Sequence, residues 1–344
     1  MSKENMNKMN MNQERNNRKN VIGKMRLIVV LVLCAAMLTA CGRQSAPVAE
    51  TSAKAEGTTV GNISVEEVTE DAATEDALES ATTAEPTPAV ETDTSDIASS
   101  LIITALKAGA ADSFVLLSEN HVTVIDTGLD KKADDFVSFL KEQGVTRIDE
   151  LIITHFDKDH VGGADYIINN FGVENVYTTY HSKDSDDITE YLEALEAKGL
   201  TETTVTEKTT WTADGITYTI YPPEKTSYAD SESNNSSLVI RVTVGENSML
   251  FAGDAEEERI AELIKTEDLG STIIKMPHHG RLASNTSELI DYVNPEYAII
   301  TSSKGEPEDQ EVLDMLTANG TKTYLTRDGD ITIILDETGV TIMQ

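Results

Sequence analysis

The sequence predicts an α/β (α+β) fold of two sheets with helices outside them, confined to residues 99–344. Two observations predict it. Short apolar, β-branched runs alternate with amphipathic stretches from about residue 100 to Met343, the order expected of mixed sheets covered by helices. The stretch, roughly 246 residues, is also long enough to bury one large core. What precedes it has a different composition and divides into two segments, residues 1–41 and 42–98.

Residues 1–26 carry seven Lys or Arg against two Glu, and Leu27–Leu38 is apolar throughout. That run is too short to span a bilayer but has the length of a signal-peptide core. Leu38-Thr39-Ala40-Cys41 resembles a bacterial lipobox, so Cys41 is expected to carry lipid. The chain is then expected to be extracytoplasmic and anchored to the bacterial cell membrane. Residues 42–98 are rich in Thr, Ala, Glu, Ser and Pro and contain no aromatic residue, the composition of a disordered acidic linker. Cys34 would leave with the signal peptide, so the mature fold is expected to contain no disulfide.

Within the domain, strands are predicted over 100–106, 113–117, 122–125 and 151–153, with a helix over 132–143. A helix near 164–170, a strand near 176–179 and a helix over 187–198 follow. Strands come next at 205–210, 216–221, 238–244 and 248–251. Helices at 256–265, 288–292 and 311–319 alternate with strands at 272–275 and 297–301, and strands at 323–325, 331–335 and 341–343 close the chain.

The chemistry concentrates in Thr154-His155-Phe156-Asp157-Lys158-Asp159-His160-Val161-Gly162-Gly163, between a predicted strand and a predicted helix. Two imidazoles and two carboxylates on a tight loop can converge on one point, and that point is expected to be a metal ion; the competing reading is a charged surface turn. Two more strand ends carry similar residues: Phe251-Ala252-Gly253-Asp254 and Lys275-Met276-Pro277-His278-His279-Gly280. Asp254 alone reads equally as a helix cap, and Asp126-Thr127-Gly128 as an ordinary turn. Four of the six histidines fall in these motifs, and surface or satisfied polar roles are expected for His121 and His181.

His155-Phe156-Asp157-Lys158-Asp159-His160 resembles the first metal-ligand motif of the metallo-β-lactamase superfamily. Asp157 replaces the second histidine, a form similar to the metallo-hydrolase domain of ComEC-type DNA-uptake competence proteins. The resemblance implies a four-layer αββα sandwich and one or two divalent ions, zinc or manganese. It also implies metal ligands His155, Asp157, Asp159, His160, Asp254 and His278, with Asp254 bridging, Asp159 and Asp254 taking part in catalysis, and Asp126 supporting the motif loop. His279 is the alternative to His278. Where other members place a further histidine, this chain has Ser233-Asn234-Asn235-Ser236-Ser237, so Asn234 or Asn235 is the remaining candidate and the first metal site is expected to be weak. Lys107-Ala108-Gly109-Ala110-Ala111-Asp112 stands where the competence group has a glycine-rich turn and keeps only Gly109 and Asp112. Arg281 follows Gly280 in place of that group's serine, and 305–309 lacks its later histidine.

Charge bears on the substrate. Of the net −33, about −27 falls on the domain once the leader's +5 and the linker's −11 are set aside. That sign opposes a polyanion, because nucleic-acid binders draw their affinity from cationic surface. Three readings stand: a lipid-anchored metallo-hydrolase of a small ester or phosphodiester; a competence-type nuclease or DNA-processing accessory, disfavoured by charge; and a metal-poor, non-catalytic binding lipoprotein. β-Lactam hydrolysis ranks last because Asp157 and the missing histidine depart from that branch.

Overall fold

The computed structural model describes residues 99–265 and 269–344; the expected signal peptide with Cys41 and the expected linker lie outside them. Fifteen strands alternate with helices among the described residues. The first six strands are β1 (Ser100–Ala105), β2 (Ser113–Leu117), β3 (Val122–Thr127), β4 (Arg147–Ile153), β5 (Gly172–Thr178) and β6 (Glu202–Thr204). The next seven are β7 (Thr209–Ala213), β8 (Ile216–Tyr221), β9 (Val239–Val244), β10 (Asn247–Phe251), β11 (Ile273–Lys275), β12 (Tyr297–Ile300) and β13 (Lys322–Leu325). The last two are β14 (Ile331–Asp336) and β15 (Gly339–Met343). One sheet runs β15-β14-β1-β2-β3-β4-β5-β6 and the other β13-β12-β11-β10-β9-β8-β7.

Helices α1 (Ala133–Glu142), α2 (Lys158–Val161), α3 (Ala164–Asn170) and α4 (Asp186–Lys198) belong to the first half, and α5 (Glu232–Asn235), α6 (Glu257–Leu263), α7 (Thr286–Val293) and α8 (Gln310–Ala318) to the second. Along β1, β2 and β14 successive side chains turn to opposite faces, as a pleated backbone directs them. On β1, Leu101 and Ile103 face the space between the sheets, where they meet Ile240, Met249 and Phe251, while Ile102 faces the helices with Leu140, Ile168 and Tyr191. On β10, Leu250 turns outward to Ile260, Leu289 and Leu316. Three apolar layers between four structural layers make the fold an αββα sandwich. No helix among the described residues is long and apolar enough to cross a membrane.

One sequence expectation is corrected here. The stretch 205–210 reads as a single strand because Thr and Val continue through it, but the chain changes sheet within it: β6 pairs with β5, and β7 pairs with β8 in the other sheet. Local β-propensity carries no mark of such a crossing. The motif loop also contains the short helix α2, where a loop was expected.

Candidate metal centre

Every strand that carries a motif runs parallel to a neighbour, β3 with β4, β10 with β11 and β11 with β12, and the motif residues sit at their carboxyl ends. Open parallel sheets leave their ligand crevices at these ends. Glycines let the loops close on one another. A Cβ at Gly162 would come within 2.7 Å of the Asp130 nitrogen and 2.9 Å of the Gly128 oxygen, and one at Gly163 within 2.7 Å of the Thr127 oxygen. The His loop is therefore pressed directly onto the Asp126-Thr127-Gly128 turn.

Asp126, buried and with φ of 55°, fastens the two together. One of its oxygens accepts the Thr154 N–H and the other the Thr154 hydroxyl, both at 2.7 Å. The second oxygen also accepts His160 Nδ1–H at 2.7 Å. That bond fixes the His160 tautomer and leaves the Nε2 lone pair free, the usual means of orienting a metal-binding imidazole. His279 is set by a parallel device. Thr301 donates its hydroxyl to Asp112 at 2.6 Å and so accepts from His279 Nδ1 at 3.0 Å, again freeing Nε2.

The two freed nitrogens meet at one oxygen. His160 Nε2 and His279 Nε2 each lie 3.2 Å from Asp254 Oδ2, and Asp159 Oδ2 lies 3.2 Å from His279 Nε2. Both Nε2 atoms are buried without a well-directed hydrogen bond, as is His155 Nε2, whose ring lies 4.0 Å from that of His160. Buried polar atoms are rarely left so, and three imidazole nitrogens orphaned in one place fit a divalent ion with mixed nitrogen and oxygen ligands. Asp112, His160, Asp254 and His279 bring ligand atoms within 4.8 Å of one another. Asp112 is the member already engaged, by the Thr301 hydroxyl and, at 2.5 Å, by the ammonium of the fully buried Lys275. Lys275 also donates to the Gly253 carbonyl at 2.7 Å and lies 3.3 Å from Asp254 Oδ1.

Electrostatics agree with a cation-seeking cluster. Burial works against charge on His160, but Asp254, Asp126 and Asp112 outweigh it and raise its pKa well above the ordinary value. His279 is raised to about 9 against its burial, by Asp254 and Asp159. Asp254 is held well below the carboxylate range although burial opposes this, because His160, His279 and Lys275 surround it. His155, pushed down to about 4 by burial and by His160, is neutral.

The structure brings His155, Asp157, Asp159, His160 and Asp254 to one place, with Asp126 behind them. It does not bring His278. That ring is a third exposed and its Nδ1 lies 3.2 Å from Glu256 Oε1; His279, the alternative, joins the cluster. Both histidines have left-handed backbones, φ of 45° and 53°, a strained pair of the kind found at functional sites. Asn235 spends its amide oxygen on the Glu256 and Arg259 backbone N–H groups at the start of α6, and Asn234 donates its amide nitrogen to Glu256 at 2.6 Å. Neither amide is turned toward the cluster as a ligand. His181 stacks on Phe156 and pairs with Glu202 at 2.7 Å, and His121 ion-pairs with Glu150 through Nε2, which makes no well-directed hydrogen bond. Residues that sequence reasoning left out of the site are Asp112 and Lys275, visible only as remnants of two motifs, and Glu256 and Lys183, which had no signal.

Residues 106–302 match the profile of the metallo-beta-lactamase superfamily. The chain is 28% identical over 186 residues to ComE operon protein 3 of Bacillus subtilis (strain 168), covering 52% of this chain and 24% of that protein. It is 28% identical over 205 residues to Competence protein ComA of Neisseria gonorrhoeae, covering 58% of this chain and 27% of that one. It thus spans about a quarter of the length of these relatives. Among solved structures, the metallo-beta-lactamase fold protein YhfI from Bacillus subtilis aligns with a TM-score of 0.46 at 11% identity, covering 69% of this chain and 99% of that one.

Proposed function

Because the chain belongs to the metallo-β-lactamase superfamily, a family of metal-dependent hydrolases, we propose that it hydrolyses a small ester or phosphodiester at the His160–His279–Asp254 cluster. The observation that carries this reading is the pair of freed imidazole nitrogens 3.2 Å from one Asp254 oxygen. When bound there, a divalent ion, zinc or manganese, would supply Lewis acidity and lower the pKa of water from its bulk value to about 7. The chain's own residues do the rest. His160 and His279 hold the site through Nε2, their tautomers set by Asp126 and Thr301. Lys275 balances the charge of Asp112 and Asp254 from beneath. Asp159, beside His279 Nε2 and about a quarter exposed, is held against its burial well below the ordinary carboxylate range by His279 and His160, so it would act as an ionised acceptor that orients an attacking water. Beside this cluster, His278, Arg281, Leu282 and Glu256 line a cleft of about 330 Å³, ample for a small substrate.

The proposed setting is extracytoplasmic, with the domain held to the membrane through lipid on Cys41 and the acidic linker. Replacing Cys41 with Ala is expected to release the protein from membranes. The competence relatives favour a second reading, action on nucleic acid, and the domain's charge of about −27 weighs against it, because repulsion of a polyanion grows as salt is lowered. The test is a side-by-side rate comparison on a chromogenic phosphodiester and on DNA in zinc or manganese, with Asp254→Ala as blank. The small ester is expected to be cut at least as readily, with any DNA cleavage improving at moderate salt. Robust DNA cleavage at low salt, lost in the blank, would establish the nuclease reading. No turnover of either would favour a binding lipoprotein.

A further inference from the structure

We propose that Lys183 takes the place of a second metal ion, so that the centre is mononuclear and Lys183 is the residue that makes it so. This rests on the metal-dependent reading above. Free donors are scarce on the His155 side of the cluster. Asp157, the carboxylate of that side, receives both the Lys183 ammonium and the Ser233 hydroxyl on one oxygen, Oδ1. Asp254 Oδ1 faces Lys275, and Asp254 Oδ2 faces His160 and His279. Glu256 is engaged by His278, Asn234 and Ser231. Asn235 spends its oxygen on α6. Of the imidazole and carboxylate donors on this side, His155 Nε2 and Asp157 Oδ2 are then still unengaged, and two fall short of the three protein ligands that a catalytic metal site takes.

The segment that carries Lys183, between β5 and α4, is anchored just ahead of it: Tyr180 donates its hydroxyl to Glu232 at 3.1 Å, and His181 stacks on Phe156 with ring centroids 4.0 Å apart. Phe156 is the residue between His155 and Asp157, so the stack registers the lysine against the motif itself. An ammonium on Asp157 does two things to an incoming cation. It removes the negative charge that would attract it, and it repels it at contact distance. His155 then serves the single ion's pocket as a neutral wall or an added ligand.

The test is the stoichiometry of zinc and of manganese bound by the full-length protein, read by titration calorimetry and by elemental analysis after dialysis. It compares the wild type with Lys183→Met and Lys183→Arg, with circular dichroism confirming that each is folded. One ion per chain is expected in the wild type and in Lys183→Arg, and a second, weaker ion in Lys183→Met, lost again in Lys183→Met/Asp157→Asn. Two ions in the wild type, or a single ion in Lys183→Met at millimolar metal, would overturn the inference while leaving the metal-dependent reading intact. A wild type that binds none would instead overturn that reading, and the inference with it.

Discussion

Two buried polar clusters lie back to back near Ser237, and they have opposite hydrogen-bond outcomes. In one, Arg259 donates to the Ser237 and Tyr221 carbonyls at 3.1 and 2.8 Å and to Glu262 at 3.1 Å. Glu262 also accepts from the Tyr228 hydroxyl and from the Glu224 backbone. Both charges are at least 97% buried by accessible surface, and their donors and acceptors close on one another. In the other, Ser237 accepts the Asp254 N–H at 3.1 Å, and beyond it three imidazole nitrogens end without a well-directed hydrogen bond. Burial of polar groups is common to both. What separates a structural network from a binding centre is whether the hydrogen-bond count closes, since an orphaned buried group is costly unless a ligand completes it.

The contrast can be broken from either side. The largest effect is expected at the open cluster: Asp254→Ala or His279→Ala should abolish retention of metal through dialysis and reduce hydrolysis of a phosphodiester to background, with the folded state kept. Metal retained at wild-type level in the Asp254→Ala/His279→Ala pair would falsify the assignment of the centre. At the closed cluster the order reverses. Arg259→Met leaves Glu262 charged and buried, and should cost about 3–5 kcal/mol in denaturant unfolding, with metal stoichiometry unchanged in the folded fraction. A loss below about 1 kcal/mol there would mean that the network is not closed in solution.

A smaller effect is expected where the open cluster is oriented rather than formed. Asp126→Asn keeps the shape but loses the carboxylate that fixes His160, and metal affinity should fall about 10- to 100-fold, measured by competition with a chromogenic chelator. The smallest concerns an imidazole outside both clusters, His121, at the opposite end of β3. Burial disfavours its charge, but Glu150 and Asp149 outweigh burial and raise its pKa above the ordinary value. With the folded pKa above the unfolded one, its stabilisation is complete below about pH 6.5 and is lost as pH rises through the raised value. Unfolding midpoints of the wild type should therefore fall more than those of His121→Gln between pH 6 and 8; parallel curves would remove this pair from the account.

Much of this architecture was legible in the sequence because the strands are short, β-branched and bounded by Gly or Asp. The helix over Ala164–Asn170 and the strand over Ser113–Leu117 have the expected limits. The convergence of His155, Asp157, Asp159 and His160 was legible in their single strand-to-helix loop, whereas the αββα layering and the place of Asp254 beside them were what the resemblance to the metallo-β-lactamase superfamily implied. What was not legible depends on long-range geometry. The choice between His278 and His279 turns on two consecutive left-handed residues, which no propensity announces. Asp112 acts through Thr301 and Lys275, residues distant in sequence. The crossing between sheets after Thr204 is hidden because a Thr-rich run suits either sheet.

The pairing of β1 with β14 sets the order in which this domain can be completed. Leu101 lies opposite Leu335 and Ile103 opposite Ile333, so the strand that opens the domain acquires its outer neighbour only after the whole second sheet has been made. A chain emerging from the ribosome or through a membrane pore carries β1 as an unpaired edge for nearly the full time of its synthesis, and unpaired edges invite association with other strands. Pairings this far apart in sequence also fold slowly, because the loop must close before the contact forms. The metal centre inherits that timing: Asp126 and His160 can be in place early, but the oxygen they await, on Asp254, arrives with the second half of the chain.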